Sequence, residues 1–196
     1  DLIGRSSVTV KNLVISSFNY GIYAYSGSGN WLTGNQVSST NRGIYVRSSN
    51  GNVISGNVTS SSSKGIAFLS AANNSVTGNT ASGNTFGIEL SGSGSTGNTV
   101  SSNIVNSNSD GIYLVNGPAG NVIGSNTVSG STNSGIHLIS SVNNTITANT
   151  CSGGLNGLFL GASSNGNTIK KNIVSGNGGK GIQIDSSNDN TVVYNS

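Results

Sequence analysis

Two asparagines five residues apart recur eight times along this chain: Asn30/Asn35, Asn52/Asn57, Asn74/Asn79, Asn98/Asn103, Asn121/Asn126, Asn144/Asn149, Asn167/Asn172 and Asn190/Asn195. A phrase of the type G-I-x-L precedes them, beginning at Gly21, Gly43, Gly65, Gly87, Gly111, Gly135, Gly157 and Gly181, in steps of 22, 22, 22, 24, 24, 22 and 24 residues. The spacing of five never slips. Every change of length falls between a glycine and its first asparagine, or between a second asparagine and the next glycine. A unit whose interior is rigid while its joints vary is one turn of a repeating architecture.

Within each unit the apolar period is two, not 3.6. Ile44 and Val46, Ile66 and Phe68, Ile112 and Leu114 alternate after their glycines, and one apolar residue sits between the paired asparagines, from Leu32 and Ile54 to Ile169 and Val192. Two residues past the second asparagine comes another small or apolar column: Val37, Thr59, Ala81, Val105, Val128, Cys151, Val174. Short alternating segments broken by Gly and Asn read as strands. Such strands at this period predict one all-β domain over residues 1–196, a single-stranded parallel β-helix of about eight to nine coils with 22–24 residues each. Residues 1–20 supply an incomplete first coil. The segment is therefore expected to belong to a longer protein or to assemble with other copies of itself.

Stacking explains the asparagines. Like positions on successive coils lie about 4.8 Å apart, so an inward asparagine at a corner finds amide partners in its own copy, and corner backbone groups take up the rest. All sixteen are predicted to form ladders. Ser62 falls in a corner outside these columns, where substitution is expected to be silent. The residue before the first asparagine (Gly29, Gly51, Asn73, Gly97, Gly120, Asn143, Gly166, Asp189) is always one that tolerates positive φ, as a left-handed corner demands. Cys151 shares its column with Val and Ala and reads as a small core residue.

Composition closes off several classes. Charged residues are only 7% and hydrophobic ones 33%, a mixture that suits disorder. Disorder is sustained by net charge or proline, however, and here the charge is +3 with Pro118 alone. One cysteine excludes an internal disulfide, and no apolar run is long enough to span a membrane as a helix. Only Arg42, Arg47 and Lys64 look clustered among the cations, without stacking motifs for nucleic acid. No cofactor or metal is implied.

The acids are Asp1, Glu89, Asp110, Asp185 and Asp189. Glu89 and Asp185 occupy equivalent strands four coils apart, about 19 Å, too far to share a glycosidic bond. Asp110, next to Gly111, is assigned to a corner about 10 Å or more from Glu89, and both are read as solvated surface acids. His137 is the only histidine, with no carboxylate expected on an adjacent coil to orient it. No catalytic residue is assigned. Outward on the G-I-x-L strands lie Tyr23, Tyr45, Tyr113, His137 and Phe159, with Tyr25, Leu69, Val115 and Ile139 two residues on. They form a candidate contact face. On another sheet, Thr145 and Thr147 belong to an interrupted threonine array. Three glycosylation sequons occur, of which Asn73 and Asn143 lie at exposed corners and Asn57 within a ladder.

With "GIHLISSVNNTITANT" and "GIYVRSSNGNVISGNV" in view, nearly the whole chain from about residue 8 resembles the right-handed parallel β-helix repeats of the NosD-like, carbohydrate-binding and sugar-hydrolase type. The resemblance implies right-handed winding. It implies no single activity, because that family includes polysaccharide lyases and hydrolases, phage tailspikes, a periplasmic copper-site maturation protein and many surface proteins. The leading expectation is a non-enzymatic, extracellular or cell-surface structural or adhesive solenoid that self-assembles. The alternative is a carbohydrate-binding or carbohydrate-processing domain with catalytic residues outside this segment. A third reading is an ice-binding solenoid.

Overall fold

A computed structural model describes all 196 residues. The chain winds through three parallel sheets and contains no helix. The first sheet stacks nine strands, seven of them the six-residue segments Tyr20–Tyr25, Arg42–Arg47, Lys64–Leu69, Phe86–Ser91, Asp110–Val115, Ser134–Ile139 and Asn156–Gly161. The second stacks nine strands of the Trp31–Thr33 type, eight of them between paired asparagines, and the third eight of the Gln36–Ser38 type. Every strand pairs in parallel with its copies one coil away, so Ile66 lies between Ile44 and Ile88, and Val76 between Ile54 and Val100.

The core is correspondingly narrow. Twenty-eight buried residues form one continuous column of rows, with Ile44, Ile66, Ile88, Ile112 and Ile136 in one row and Leu32, Ile54, Val76 and Val100 in another. Each three-residue strand contributes one inward side chain, because alternation permits only one.

The paired asparagines lie inside the corners, where each meets its copies on the adjoining coils and also the corner backbone. Asn79 donates its backbone N–H and its Nδ2 to Asn103 Oδ1 at 2.9 and 3.0 Å, and accepts the same two bonds from Asn57. Its Nδ2 also reaches the Ile54 carbonyl at 2.9 Å. Asn126 repeats this pattern toward Asn149 Oδ1 at 3.0 and 2.9 Å and the Val100 carbonyl at 2.9 Å. Asn149 repeats it toward Asn172 Oδ1 at 2.9 and 3.0 Å and the Ile123 carbonyl at 2.9 Å. The ladder is thus as much side chain to backbone as side chain to side chain. A corner leaves backbone groups without strand partners, and the stacked amides satisfy them.

The ends of this ladder depart from self-pairing. The coil before Asn35 has no asparagine in the column, and Asn35 Oδ1 accepts the Leu13 amide at 3.1 Å instead. Asn172 donates twice to Asn195 Oδ1, both at 2.9 Å. Asn195, on the last coil, is only half-buried and turns its Nδ2 to the Ile169 and Val193 carbonyls at 3.0 and 3.2 Å. The first asparagines, Asn30, Asn52, Asn74, Asn98, Asn121, Asn144, Asn167 and Asn190, form a second ladder in which each amide N–H meets the next Oδ1 at 2.8–2.9 Å.

Left-handed positions are also far more numerous than the one column expected, with 22 non-glycine and 15 glycine residues at positive φ. All eight residues before the first asparagine have positive φ, from 55° to 66°. So do those before the second: Gly34 before Asn35, Ser125 before Asn126, Ala148 before Asn149, Lys171 before Asn172 and Tyr194 before Asn195. Ala, Lys and Tyr strain that conformation by about 1–2 kcal/mol, so composition conceals the column. The bonds made by the asparagine that follows hold it there.

Ser62 requires a further correction. It is buried, donates its amide to Asn84 Oδ1 at 3.0 Å, and its Oγ meets the Thr40 amide and Thr40 Oγ1 at 3.2 and 2.9 Å. Asn84 in turn donates to Asn108 Oδ1 at 2.9 Å. Thr40, Ser62, Asn84 and Asn108 make a third ladder, hidden in the sequence because its residue type changes from coil to coil.

The glycine of G-I-x-L reorders the outer face. A Cβ on Gly65 would stand 2.6 Å from the Gly87 carbonyl oxygen and 2.7 Å from Thr59 Oγ1, and its equivalents from Gly21 to Gly157 meet similar crowding. The position points into the solenoid where sheets one and three converge, and only glycine fits. The isoleucine that follows also points inward, so strand alternation breaks there. The residue before the glycine consequently returns to the outer face.

Candidate functional site

Through that break, the outer face of the first sheet gains a third column (Tyr20, Arg42, Lys64, Phe86, Asp110, Ser134, Asn156) beside the two expected ones. Its long side chains reach diagonally toward the second residue after the glycine on the next coil. Lys64 Nζ meets Glu89 at 2.6 Å and 2.8 Å from its two carboxylate oxygens. Asp110 Oδ1 meets His137 Nδ1 at 3.0 Å. Asp110 is therefore the first residue of a strand and not a corner acid, and the expectation that no carboxylate orients His137 is overturned. Nor are Glu89 and Asp110 solvated surface acids, since each is 5% exposed.

Asp110 is fixed from three sides. Asn133 Nδ2 donates to its Oδ1 at 2.8 Å and the Ser134 amide at 3.2 Å, besides the imidazole. A neutral histidine facing a carboxylate through Nδ1 carries its proton there and leaves Nε2 as a lone-pair acceptor. His137 Nε2 has no hydrogen-bond partner and is shielded from solvent. Buried polar atoms in that condition are rare in folded proteins.

The ring is held by its neighbours. Tyr113 lies on one side, with centroids 4.9 Å apart, and Phe159 on the other at 5.0 Å and 68°. Phe86 stacks on Tyr113 at 5.0 Å. Burial, followed by the charges of Asp110 and Glu89, raises the Tyr113 phenol above its ordinary value. The phenol therefore keeps its proton at neutral pH and is a donor there. A hydrogen-bonded acid–imidazole pair with a protonated phenol beside it is equipped for general acid–base chemistry.

The remaining members of the anticipated face sit on the same sheet. Tyr23 stacks on Tyr45 at 5.2 Å and on Tyr25 at 5.9 Å. Tyr45 is buried, and Tyr23, Tyr25, Leu69, Tyr113, Val115, His137, Ile139 and Phe159 are half-buried against one another. Exposed apolar side chains are not confined to this sheet: Val14, Trp31, Val58 and Ile173 lie on the other two, while Ile3 and Ile184 lie at the ends of the first. Asn73 and Asn143 occupy exposed left-handed corners, whereas Asn57 is buried. No cavity forms in the molecule.

A metal would find few donors here. His137 is the sole histidine and methionine is absent. Cys151 is buried in the core, its thiol pushed up to about 12 by burial. No three His, Cys, Asp or Glu side chains come together.

Among solved structures, the periplasmic alginate epimerase AlgG (T265N mutant) superposes with a TM-score of 0.83 at 23% identity, over 95% of this chain and 51% of AlgG. The A-module of the Azotobacter vinelandii mannuronan C-5 epimerase AlgE4 gives 0.76 at 14% identity, over 97% of this chain and 61% of that module. The DFA-IIIase of Arthrobacter chlorophenolicus A6 gives 0.55 at 12%, over 95% and 63%. The chain thus spans about half to two thirds of the structures it matches, and at these identities the likeness is one of fold. No curated protein sequence matches it. The family described as periplasmic copper-binding protein (NosD) matches over residues 2–71 and 42–196, so this right-handed parallel β-helix belongs to the NosD family.

Proposed function

We propose that this chain is a carbohydrate-binding and carbohydrate-processing β-helix domain, with a polysaccharide lying along the open face of its first sheet. The observation that carries the reading is the contact of Asp110 with His137, whose Nε2 is unpartnered beside the Tyr113 phenol. A sugar over these rings would find an aromatic floor for its apolar face. His137 Nε2 is shielded beneath this face, so it would take a proton from the sugar only once Tyr113 or Phe159 shifts aside, with the Tyr113 phenol as the neighbouring donor.

Hydrolysis by paired carboxylic acids fits less well. Glu89 is engaged by Lys64, and Asp110 by His137, Asn133 and the Ser134 amide. The copper of the family description has no fitting donor set among these residues. AlgG and AlgE4 are named as epimerases and DFA-IIIase as an enzyme solved with the ligand GF2, which supports a carbohydrate setting. AlgG and the family are both described as periplasmic, which supports a place outside the cytoplasm.

The test is turnover on a panel of polysaccharides, followed by NMR of the products. His137→Gln and Tyr113→Phe should each lower the rate by about a hundredfold or more, while Lys170→Gln, on the second sheet, leaves it unchanged. Wild-type rates in His137→Gln would end the proposal.

A further inference from the structure

The first coils of the same face carry a second cluster, separate from Asp110 and His137. Tyr20, Tyr23, Tyr25 and Tyr45 pack ring to ring, with Tyr20 at 5.2 Å from Tyr23 and 5.6 Å from Tyr45. Two guanidiniums lie over them. Arg42 Cζ stands 4.6 Å from the Tyr45 centroid and 5.6 Å from that of Tyr20, and Arg47 Cζ 5.4 Å from that of Tyr25.

Neither arginine has a carboxylate within 4 Å, since the ion pairs of the chain are Lys64 with Glu89 and His137 with Asp110. The single side-chain hydrogen bond of the two is from Arg42 Nη1 to Tyr20 Oη, at a long 3.4 Å. Most of their donors are thus free. Burial raises the Tyr45 phenol, and Arg42 and Arg47 pull it the other way, so both cations act on the same ring. A chain with five acids in 196 residues has little negative charge to answer them.

Tyr45, Ala67, Glu89 and Tyr113 are successive positions of one column. The cluster therefore lies three coils from Tyr113, about 14 Å along the axis. Extended pyranose chains repeat at a length comparable to one coil step, so a single polymer can lie over both clusters. Stacked aromatics suit the apolar face of a sugar ring, and a guanidinium fork suits an anionic oxygen pair.

We propose that Arg42 and Arg47, held on the tyrosine platform, form a subsite for an acidic sugar residue, so that the polymer recognised is anionic. This rests on the carbohydrate reading above and specifies the class of polysaccharide. The recognised group is a carboxylate or a sulfate ester on the sugar.

The test is affinity electrophoresis and calorimetry of the whole chain with polygalacturonate, dextran sulfate and neutral dextran. Wild type should bind at least one of the two anionic polymers, more weakly as salt rises, and bind dextran at least about tenfold less tightly. Arg42→Gln/Arg47→Gln should lower the anionic affinity about tenfold or more, with Lys170→Gln and Lys171→Gln as charge-matched controls elsewhere. Preference for polygalacturonate identifies a carboxylate, and preference for dextran sulfate a sulfate ester. Binding of dextran as tight as that of the polyanions would overturn the anionic subsite while leaving the carbohydrate reading standing. So would equal losses in the control variants. Binding to none of the three polymers would remove both. Should the double glutamine variant fail to fold, Arg42→Lys/Arg47→Lys retains charge but loses the planar fork, and unchanged affinity in it combined with salt-independent binding by wild type would likewise overturn the subsite.

Discussion

A buried asparagine survives in this solenoid because each amide has four or five groups to answer. Asn79 gives two bonds upward, takes two from below and caps the Ile54 carbonyl. Leucine has nearly the same size but keeps only the backbone N–H bond to Asn103 Oδ1, so Asn79→Leu strands the amide of Asn57 and removes the Nδ2 bonds to Asn103 Oδ1 and the Ile54 carbonyl. Chemical denaturation should show a loss of about 1–3 kcal/mol, and a midpoint equal to wild type would contradict the ladder's energetic role. Asn195→Leu, at the half-buried end with no copy beyond it, should cost less than Asn79→Leu. Ser62 now belongs to the same class of position as Asn79. Ser62→Ala removes the partner of both the Thr40 amide and Thr40 Oγ1, and about 1 kcal/mol should be lost. Ser63→Ala, one residue along the same loop with no side-chain hydrogen bond, is the silent comparison.

At the scale of a strand, the glycine after Asp110 decides which residues share a face. A Cβ on Gly111 would press on Val128 and stand 2.5 Å from the Gly135 carbonyl oxygen. Relief requires the strand to move outward, which shifts Asp110 relative to His137. Gly111→Ala should therefore lose about 1–3 kcal/mol of stability and most of any His137-dependent turnover. Gly124→Ala is the matched control. Its Cβ would find its nearest neighbours at 3.5 Å, an ordinary contact, with no positive φ to strain it. Its melting temperature should equal or exceed that of wild type. Equal losses in the two alanine variants would show that the crowding at Gly111 is not what matters.

The whole molecule is a stack in which each coil touches only its neighbours, so its unit of tolerance is one full coil. Removing residues 43–64 takes out one complete 22-residue period and joins Arg42 to Gly65. Every inward row stays in register, and Arg42 succeeds to the place of Lys64 opposite Glu89. The shortened chain should keep a cooperative thermal transition and its β-sheet circular dichroism. Removing residues 43–53, half that length, places a strand of the first sheet where a corner belongs, and this chain should not melt cooperatively. Equal behaviour of the two deletions would argue against coil-by-coil stacking.

The sequence by itself determined the architecture, because a solenoid writes the same requirement once per coil. Repetition averages away local ambiguity. Eight asparagine pairs at an unvarying spacing and eight glycine phrases leave one winding with two-residue alternation, and the parallel pairing of like positions follows. Ladder and corner columns of constant chemistry were legible for the same reason. The column of Thr40, Ser62, Asn84 and Asn108 was not, since threonine, serine and asparagine serve there interchangeably and no single letter repeats. Nor was the left-handed column before Asn126, Asn149, Asn172 and Asn195, where Ser125, Ala148, Lys171 and Tyr194 share a conformation but no chemistry. The candidate site stayed hidden for a different reason. Asp110 and His137 lie 27 residues apart and occur on only one pair of coils, so no repeat marks them. Its place next to Gly111 assigns Asp110 to a corner, whereas it opens a strand. The alternation breaks at the glycine because two sheets converge there too closely for any side chain, and that convergence exists only once the coils are stacked.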